Sequence, residues 1–204
     1  MEPPTDDRRT RNESHLDRRA VLKALGSASV ALGAAGSVPT VAAAPVDAST
    51  VVDLGEEGLQ PGDSIDPYLK AHFTSDTEVR IPAGEYTYSG AGLGGSLSNC
   101  ALIGSPEGVT FQRPAPETAV RPDIFAEAGT VRIENVTIRG QRGQTQSRWR
   151  VGAAEGARME VVNVNLPDGT VDGSDSPGLY AGSDHGGDLL VKACYFEGFG
   201  NAAC

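Results

Sequence analysis

The chain has 204 residues, 17 of them basic and 27 acidic, for a formal net charge of −10; it has room for one moderate domain behind a leader. Acidity on this scale excludes a nucleic-acid partner, because phosphate recognition calls for clustered lysine and arginine. An aromatic content of 5% beside 26 glycines favours many turns over a thick core between two sheets.

Residues 1–44 read as an export signal. The run Asp17-Arg18-Arg19-Ala20-Val21-Leu22-Lys23 resembles the twin-arginine motif, and a mildly apolar Ala/Gly stretch follows over 24–44. The pair Arg8-Arg9 lacks the apolar follow-on. Ala42-Ala43-Ala44 supplies small residues for cleavage, and Pro45 places the cut one or two residues earlier. Gly33, Gly36 and Pro39 interrupt the apolar stretch, and no later segment approaches the length of a membrane span. No cysteine precedes Cys100 for lipid attachment. The expected mature protein has no membrane span and is secreted, extracellular or at the cell surface, exported by the twin-arginine route. From Pro45 onward it carries 11 basic and 22 acidic residues, or −11, and across the chain arginine outnumbers lysine 14 to 3. Such a surface resembles that of secreted proteins of halophilic archaea, where counter-ions screen self-repulsion, so much of the carboxylate content solvates the surface.

Residues 45–95 read as an N-terminal cap and first course. Asp63-Ser64-Ile65-Asp66-Pro67-Tyr68-Leu69-Lys70 has a capping residue and an early proline, which predicts a short helix. Glu78-Val79-Arg80-Ile81 predicts a strand, with Pro82-Ala83-Gly84 turning the chain towards Tyr86.

The remaining residues, 96–204, repeat one theme. Residues 129–140, G-T-V-R-I-E-N-V-T-I-R-G, are two short alternating runs joined at Asn135, too short to bury an apolar face unless a similar piece stacks on it. Residues 96–104, 160–168 and 190–198 align on it without a gap, placing Asn99, Asn135, Asn163 and Ala193 at a common corner. These corners are 36, 28 and 30 residues apart, an irregular period in the solenoid range that implies variable loops on a constant coil. Three strands per course are expected: 123–126, 131–133 and 136–138; then 149–151, 159–161 and 164–166; then 178–181, 189–191 and 194–196. The residues from Phe199 to Cys204 begin another course in mid-coil, so the coil is expected to be incomplete at its C-terminus, with an open edge available for self-association.

Three strands per course, a recurrent Asn corner and variable loops resemble the right-handed parallel β-helix of the pectate-lyase-like superfamily, as does the P-x-G-x-Y ending of the first course. The resemblance implies an all-β, right-handed parallel β-helix solenoid with a short N-terminal capping helix. Asn suits such a corner because it tolerates left-handed backbone and its amide can bond the Asn one course away. The competing fold is a β-sandwich whose strands happen to align. Under the alignment Cys100 and Cys194 are equivalent inward residues three courses, or about 14 Å, apart, too far to bridge; Cys204 is an exposed or interchain thiol. The sequon Asn135-Val136-Thr137 is either a glycan acceptor or a structural corner.

The same resemblance implies a groove across one strand face, bordered by loops, on the strands holding Trp149 and Tyr180. The loops supply Asp168, Asp172 and Asp175 before Tyr180, and Asp184 and His185 after it. Catalytic candidates are Asp172, Asp175, Asp184 and His185. Trp149 and Tyr180 are candidate sugar-stacking faces, and Arg148 and Arg150 candidate partners of a uronate carboxylate. A hydrolase would use paired carboxylates; a lyase would hold Ca2+, for which Asp172 and Asp175 are the candidate ligands, and remove a proton with a basic group. D-G-T-V-D-G-S-D is equally a solvated Gly/Asp turn, G-S-D-H-G-G-D a flexible loop, and Trp149 a packing residue. Two functions are therefore expected: a secreted carbohydrate-active protein that binds or cleaves an acidic polysaccharide, or a non-catalytic surface or adhesive β-helix, including a truncated remnant without activity. The first expects the aromatic and acidic groups to converge on one groove; the second expects them to point apart.

Overall fold

The computed structural model describes residues 45–113, 122–141, 149–170 and 177–200. Its strands in chain order are β1 (Thr50–Asp53), β2 (Thr77–Ile81), β3 (Gly84–Thr87), β4 (Gly94–Gly104), β5 (Val109–Gln112), β6 (Asp123–Arg139), β7 (Trp149–Ala153), β8 (Arg158–Leu166), β9 (Leu179–Ala181), β10 (Asp188–Lys192) and β11 (Tyr195–Phe196). One helix among the described residues, α1 (Asp66–His72), falls between β1 and β2. Every strand pairing is parallel and joins one course to the next, so the chain is an all-β parallel solenoid of about four turns. The three strands expected for each course between 123 and 196 are present, and β-sandwich pairing is not.

The coil has three strips. The first stacks 94–97 of β4, 123–126 of β6, β7 and β9. The second stacks β1, β2, 100–104 of β4, 130–134 of β6, 158–162 of β8 and β10. The third stacks β3, β5, 136–139 of β6, 164–166 of β8 and β11. Long strands such as β6 turn a corner without leaving the sheet, because period-two alternation carries the apolar side chains inward on both sides of the bend.

Inward columns form the core. In the second strip Val79, Leu102, Ile133, Val161 and Val191 stand in one column, and Cys100, Val131, Met159 and Leu189 in the next. In the third, Tyr86, Phe111 and Ile138 stack in register. Burying one such side chain is worth about 1.5–3 kcal/mol, and almost all of that burial comes from neighbouring courses. Helix α1 adds Leu69, and the residues flanking it add Ile65 and Phe73, to the same core. Its first-turn Asp66 carboxylate accepts the backbone N–H groups of Ser89 at 3.0 Å and Ala91 at 3.2 Å, which ties the helix to the chain after β3.

The structure has two left-handed corners where the alignment expects one. Asn135, Asn163 and Ala193, with φ of 59°, 50° and 55°, turn the second strip into the third. The Asn163 amide donates to Asn135 Oδ1 at 2.8 Å, and the Asn135 amide donates to the Gly104 carbonyl at 3.3 Å. A left-handed residue other than glycine costs about 1–2 kcal/mol, and these bonds offset it at both asparagines. Asn135 is thus a structural corner, with the nitrogen of its sequon engaged. Asn99 does not belong to this set. It turns the first strip into the second, with φ of 48°, and donates to Asp76 Oδ1 at 3.2 Å. The 36-residue separation joined two different corners.

The same slip misplaces the cysteines. Cys100 stacks on Val131 in the second strip, whereas Cys194, next to the Tyr195 that pairs with Asn165, continues the third-strip column of Val136 and Val164. The two are not bridged to each other, as expected, and they belong to different strips. Burial, helped by Asp76, pushes the Cys100 thiol up to about 12, which makes it a packing group with no nucleophilic character at neutral pH.

On the outward side of the second strip a charged ladder crosses two courses. Arg132 donates to Glu160 from Nε at 2.7 Å and Nη2 at 2.6 Å, and Arg158 Nε donates to the other Glu160 oxygen at 2.6 Å. Burial pushes the Glu160 carboxyl up, but the hydrogen bonds and charges of Arg158 and Arg132 outweigh it and hold the group below its ordinary value of 4.5. A lowered folded value stabilises the fold above the ordinary glutamate range, and that contribution disappears as pH falls through the folded value. Acid titration of thermal unfolding is the check: Glu160→Gln is expected to lower the midpoint at pH 7 and to flatten the acid limb below the ordinary glutamate value, and an unchanged acid limb would contradict the assignment.

Candidate functional site

The outward side of the first strip carries a different set of side chains. Gly94, Asp123, Arg150 and Tyr180 are cross-strand neighbours in one row, and Ser96, Phe125 and Gly152 form the next. Ile124 and Val151, between the rows, point inward and are buried. Alternation therefore delivers one acid, one base and two aromatic rings from three successive strands, beside Gly94 and Ser96 of a fourth, to the same side of the sheet.

Arg150 is the centre of that surface. Its Nη1 lies 2.8 Å and 3.1 Å from the two Asp123 oxygens, and its Nη2 lies 2.6 Å from Asp184 Oδ1. Asp184 arrives on the turn after β9. Gly182 N–H donates to the Val151 carbonyl at 3.1 Å, His185 N–H to the Gly182 carbonyl at 3.0 Å, and Gly186 N–H to the Ala153 carbonyl at 2.8 Å, folding the turn over the end of β7. A Cβ at Gly182 would collide with the Asp184 carboxylate and lie 2.7 Å from Arg150 Nε, so a larger residue there would make these side chains shift. Hydrogen bonds to Asp123 and Asp184 raise the Arg150 pKa further. His185 adds a fourth tie: its Nδ1 accepts the Ala153 N–H at 3.1 Å, which puts the ring proton on Nε2.

Phe125 is laid against Gly152. A Cβ built at Gly152 would lie 2.8 Å from Phe125 Cδ2 and 3.9 Å from the His185 Cβ. The missing side chain gives the ring a backbone floor, and the ring remains half-buried. Gly95, Ser96, Asp123, Phe125, Arg150 and Asp184 together line an open cleft of about 330 Å³.

Of the residues singled out in the sequence, Arg150 and Asp184 line this cleft, His185 lies on its bordering turn, and Tyr180 is the strand neighbour of Arg150. Trp149 is a correction: it is fully buried. With Arg150 facing out, alternation turns Trp149 into the coil, and its ring packs in the core where no sugar can stack. Arg150 already bonds two carboxylates of the chain, Asp123 and Asp184. Asp168 accepts the Gly140 N–H at 2.7 Å and serves a turn between courses. Arg148, Asp172, Asp175 and Cys204 lie outside the described residues. Among the described residues no group of three or more His, Cys, Asp or Glu side chains is arranged to hold a metal ion; Asp172 and Asp175, the candidate Ca2+ ligands, lie outside them. Sequence reasoning missed Asp123 and Phe125. The signal was their placement on a strand directly before the Arg150 strand, at the same outward parity.

No protein-family model matches the chain, and neither a curated protein nor a solved structure matches it. No helix among the described residues is long and apolar enough to cross a membrane.

Exposed ion pairs stabilise little, about 0–1 kcal/mol each, whereas truncating a buried tryptophan costs about 3–5 kcal/mol. Chemical denaturation separates the two roles: Trp149→Ala is expected to lose most of the stability margin and Arg150→Ala to lose under about 1 kcal/mol. Equal losses would return Trp149 to the surface or make Arg150 a structural residue.

Proposed function

We propose that the protein is a secreted, carbohydrate-active β-helix of pectate-lyase-like type that binds a polysaccharide across the outer face of its first strip. The convergence of Ser96, Asp123, Phe125, Arg150 and Asp184 from successive courses on one open cleft carries this reading. Three physical features support it. Strands one above another about 4.8 Å apart present their side chains as a row, which suits an extended polymer better than a small compact ligand. A ring beside paired carboxylate and guanidinium groups is what sugars require, since one face of a pyranose is apolar and its rim is a set of hydroxyl donors and acceptors. The cluster stands on the outward face, apart from the columns of the hydrophobic core.

In this reading Phe125 stacks on one sugar, the Asp184 oxygen turned away from Arg150 accepts a hydroxyl, and Ser96 bonds the rim of the same ring. Arg150 holds the two carboxylates in place. The His185 ring, fixed by Ala153, supplies an N–H at Nε2 beside the turn. Cleavage would additionally draw on Asp172 and Asp175, the expected acid pair of the preceding loop.

Isothermal titration of the chain from residue 45, in high salt, against a polysaccharide panel tests the reading. Binding is expected, with Phe125→Ala weakening it about tenfold or more, a loss typical of one stacking ring; ultraviolet absorbance and reducing ends measured on the same mixtures separate lyase, hydrolase and binding-only behaviour. A folded chain that binds nothing would contradict the proposal.

Export is read from the leader. Replacing Arg18 and Arg19 together by lysine is expected to retain the full-length protein inside the cell, measured by fractionation, and unchanged export would remove the twin-arginine assignment.

A further inference from the structure

A second cleft lies where the second strip turns into the third, in the first courses of the coil, and we infer that it binds a hydroxyl-rich sugar ring through Arg80 and Asp53. It shares no residue with the first-strip cleft. The inference stands on a donor and an acceptor set side by side over an apolar floor.

Asp53, Arg80, Pro82, Ile103, Ser105 and Pro106 are among the residues lining this open cleft of about 300 Å³, the small end of the range in which proteins hold small molecules. Strand register supplies the polar pair. Asp53, Arg80 and Ile103 are successive cross-strand neighbours on β1, β2 and β4, and they face outward because Val79, Ile81 and Leu102 between them are buried. Arg80 spends one edge of its guanidinium within the chain: Nε at 2.8 Å and Nη2 at 2.7 Å both donate to Glu78 Oε1. Neither bond uses Nη1, and the side chain is 57% exposed. Asp53 is the complement. Its Oδ1 accepts the backbone N–H groups of Gly55 at 2.8 Å and Glu56 at 3.4 Å, which fixes the carboxylate, and Oδ2 takes neither.

The floor is built from the turns on either side. Ser105 N–H donates to the Ile81 carbonyl at 2.9 Å, tying the turn that carries Ser105 and Pro106 to the end of β2. A Cβ at Gly55 would lie 3.4 Å from Pro82 Cγ, so the loop held by Asp53 packs against the same proline. Pro82 and Ile103 are half-buried and Pro106 is exposed. Ser105 Oγ accepts the Glu107 N–H at 3.3 Å, a bond that does not use the hydroxyl proton.

Neighbouring sugar hydroxyls each donate and accept, so one takes an Arg80 N–H while the next gives its proton to Asp53 Oδ2, and the apolar face of the ring lies on Pro82, Ile103 and Pro106. Both bonds are charge-assisted, the stronger kind. A simple anion would meet the Asp53 carboxylate and a simple cation the Arg80 guanidinium, each using half of the pair.

The experiment is amide chemical-shift mapping of the isotope-labelled full chain with methyl glycosides of glucose, galactose and mannose, and with acetate and inorganic phosphate as anion controls. At least one glycoside is expected to shift amides at 53–56, 80–81 and 103–105. Arg80→Ala and Asp53→Asn, each shown to be folded by circular dichroism, are expected to weaken that binding about tenfold or more. Glycoside shifts confined to the first strip would overturn this site and leave the first-strip reading standing, whereas shifts here with none on the first strip would support this site and tell against that reading. Shifts here from the anions alone, no shift from any glycoside, or full affinity in both folded variants would each overturn the inference.

Discussion

A single course of this coil has no interior of its own. Its inward side chains are covered from above and below, and its backbone N–H and C=O groups find partners in the courses on either side. The columns running through Leu102, Ile133 and Val161, and through Phe111 and Ile138, are therefore the constraint on which everything else rests. They require every strand to keep register with its neighbour, because a slip of one residue would turn each apolar side chain outward. They also free the outward side chains from any duty in the core.

What the outward positions do differs from strip to strip. On the second strip Arg132, Glu160 and Arg158 form a ladder in which both arginines serve one carboxylate, and Arg132 and Glu160 are buried. Removing one member of such a buried set leaves a charge without its counterpart, so this strip is tied to stability. On the first strip Asp123 and Arg150 are half-buried and Asp184 is exposed, and small residues at Gly94, Gly95 and Gly152 make room beside them. The same stacking geometry thus yields a cohesive face and an accessible one.

Much of this was legible in the sequence, because alternation and repetition are local properties. The strand triplets between 123 and 196, the short helix near Asp66 and the asparagine corner at 135 and 163 all follow from period-two patterning and turn chemistry. Asn99 was misassigned because two different left-handed corners attract the same residue type, and a gapless alignment cannot tell one from the other. Its 36-residue step, longer than the other two, was the trace of that mistake. Trp149 was left open between sugar stacking and packing, although its neighbours Arg150 and Val151 already fix its parity towards the core. Asp123 and Phe125 were missed for a related reason: their partners lie one course away, and only the register of β6 against β7 brings them beside Arg150 and Gly152. The pairing of Arg150 with two acids is likewise tertiary, since Asp123 and Asp184 are distant in sequence from it and from each other.

The central claim is that the outer face of the first strip is where a sugar polymer lies. Backbone amide chemical-shift mapping of the isotope-labelled chain, titrated with an oligosaccharide of the polymer that binds, tests it most directly. The account predicts shifts concentrated at 95–96, 123–125, 150–152 and 180–185, with the ladder of Arg132, Glu160 and Arg158 silent. Shifts centred instead on Arg132, Glu160 and their neighbours, or none along the first strip at saturation, would contradict it.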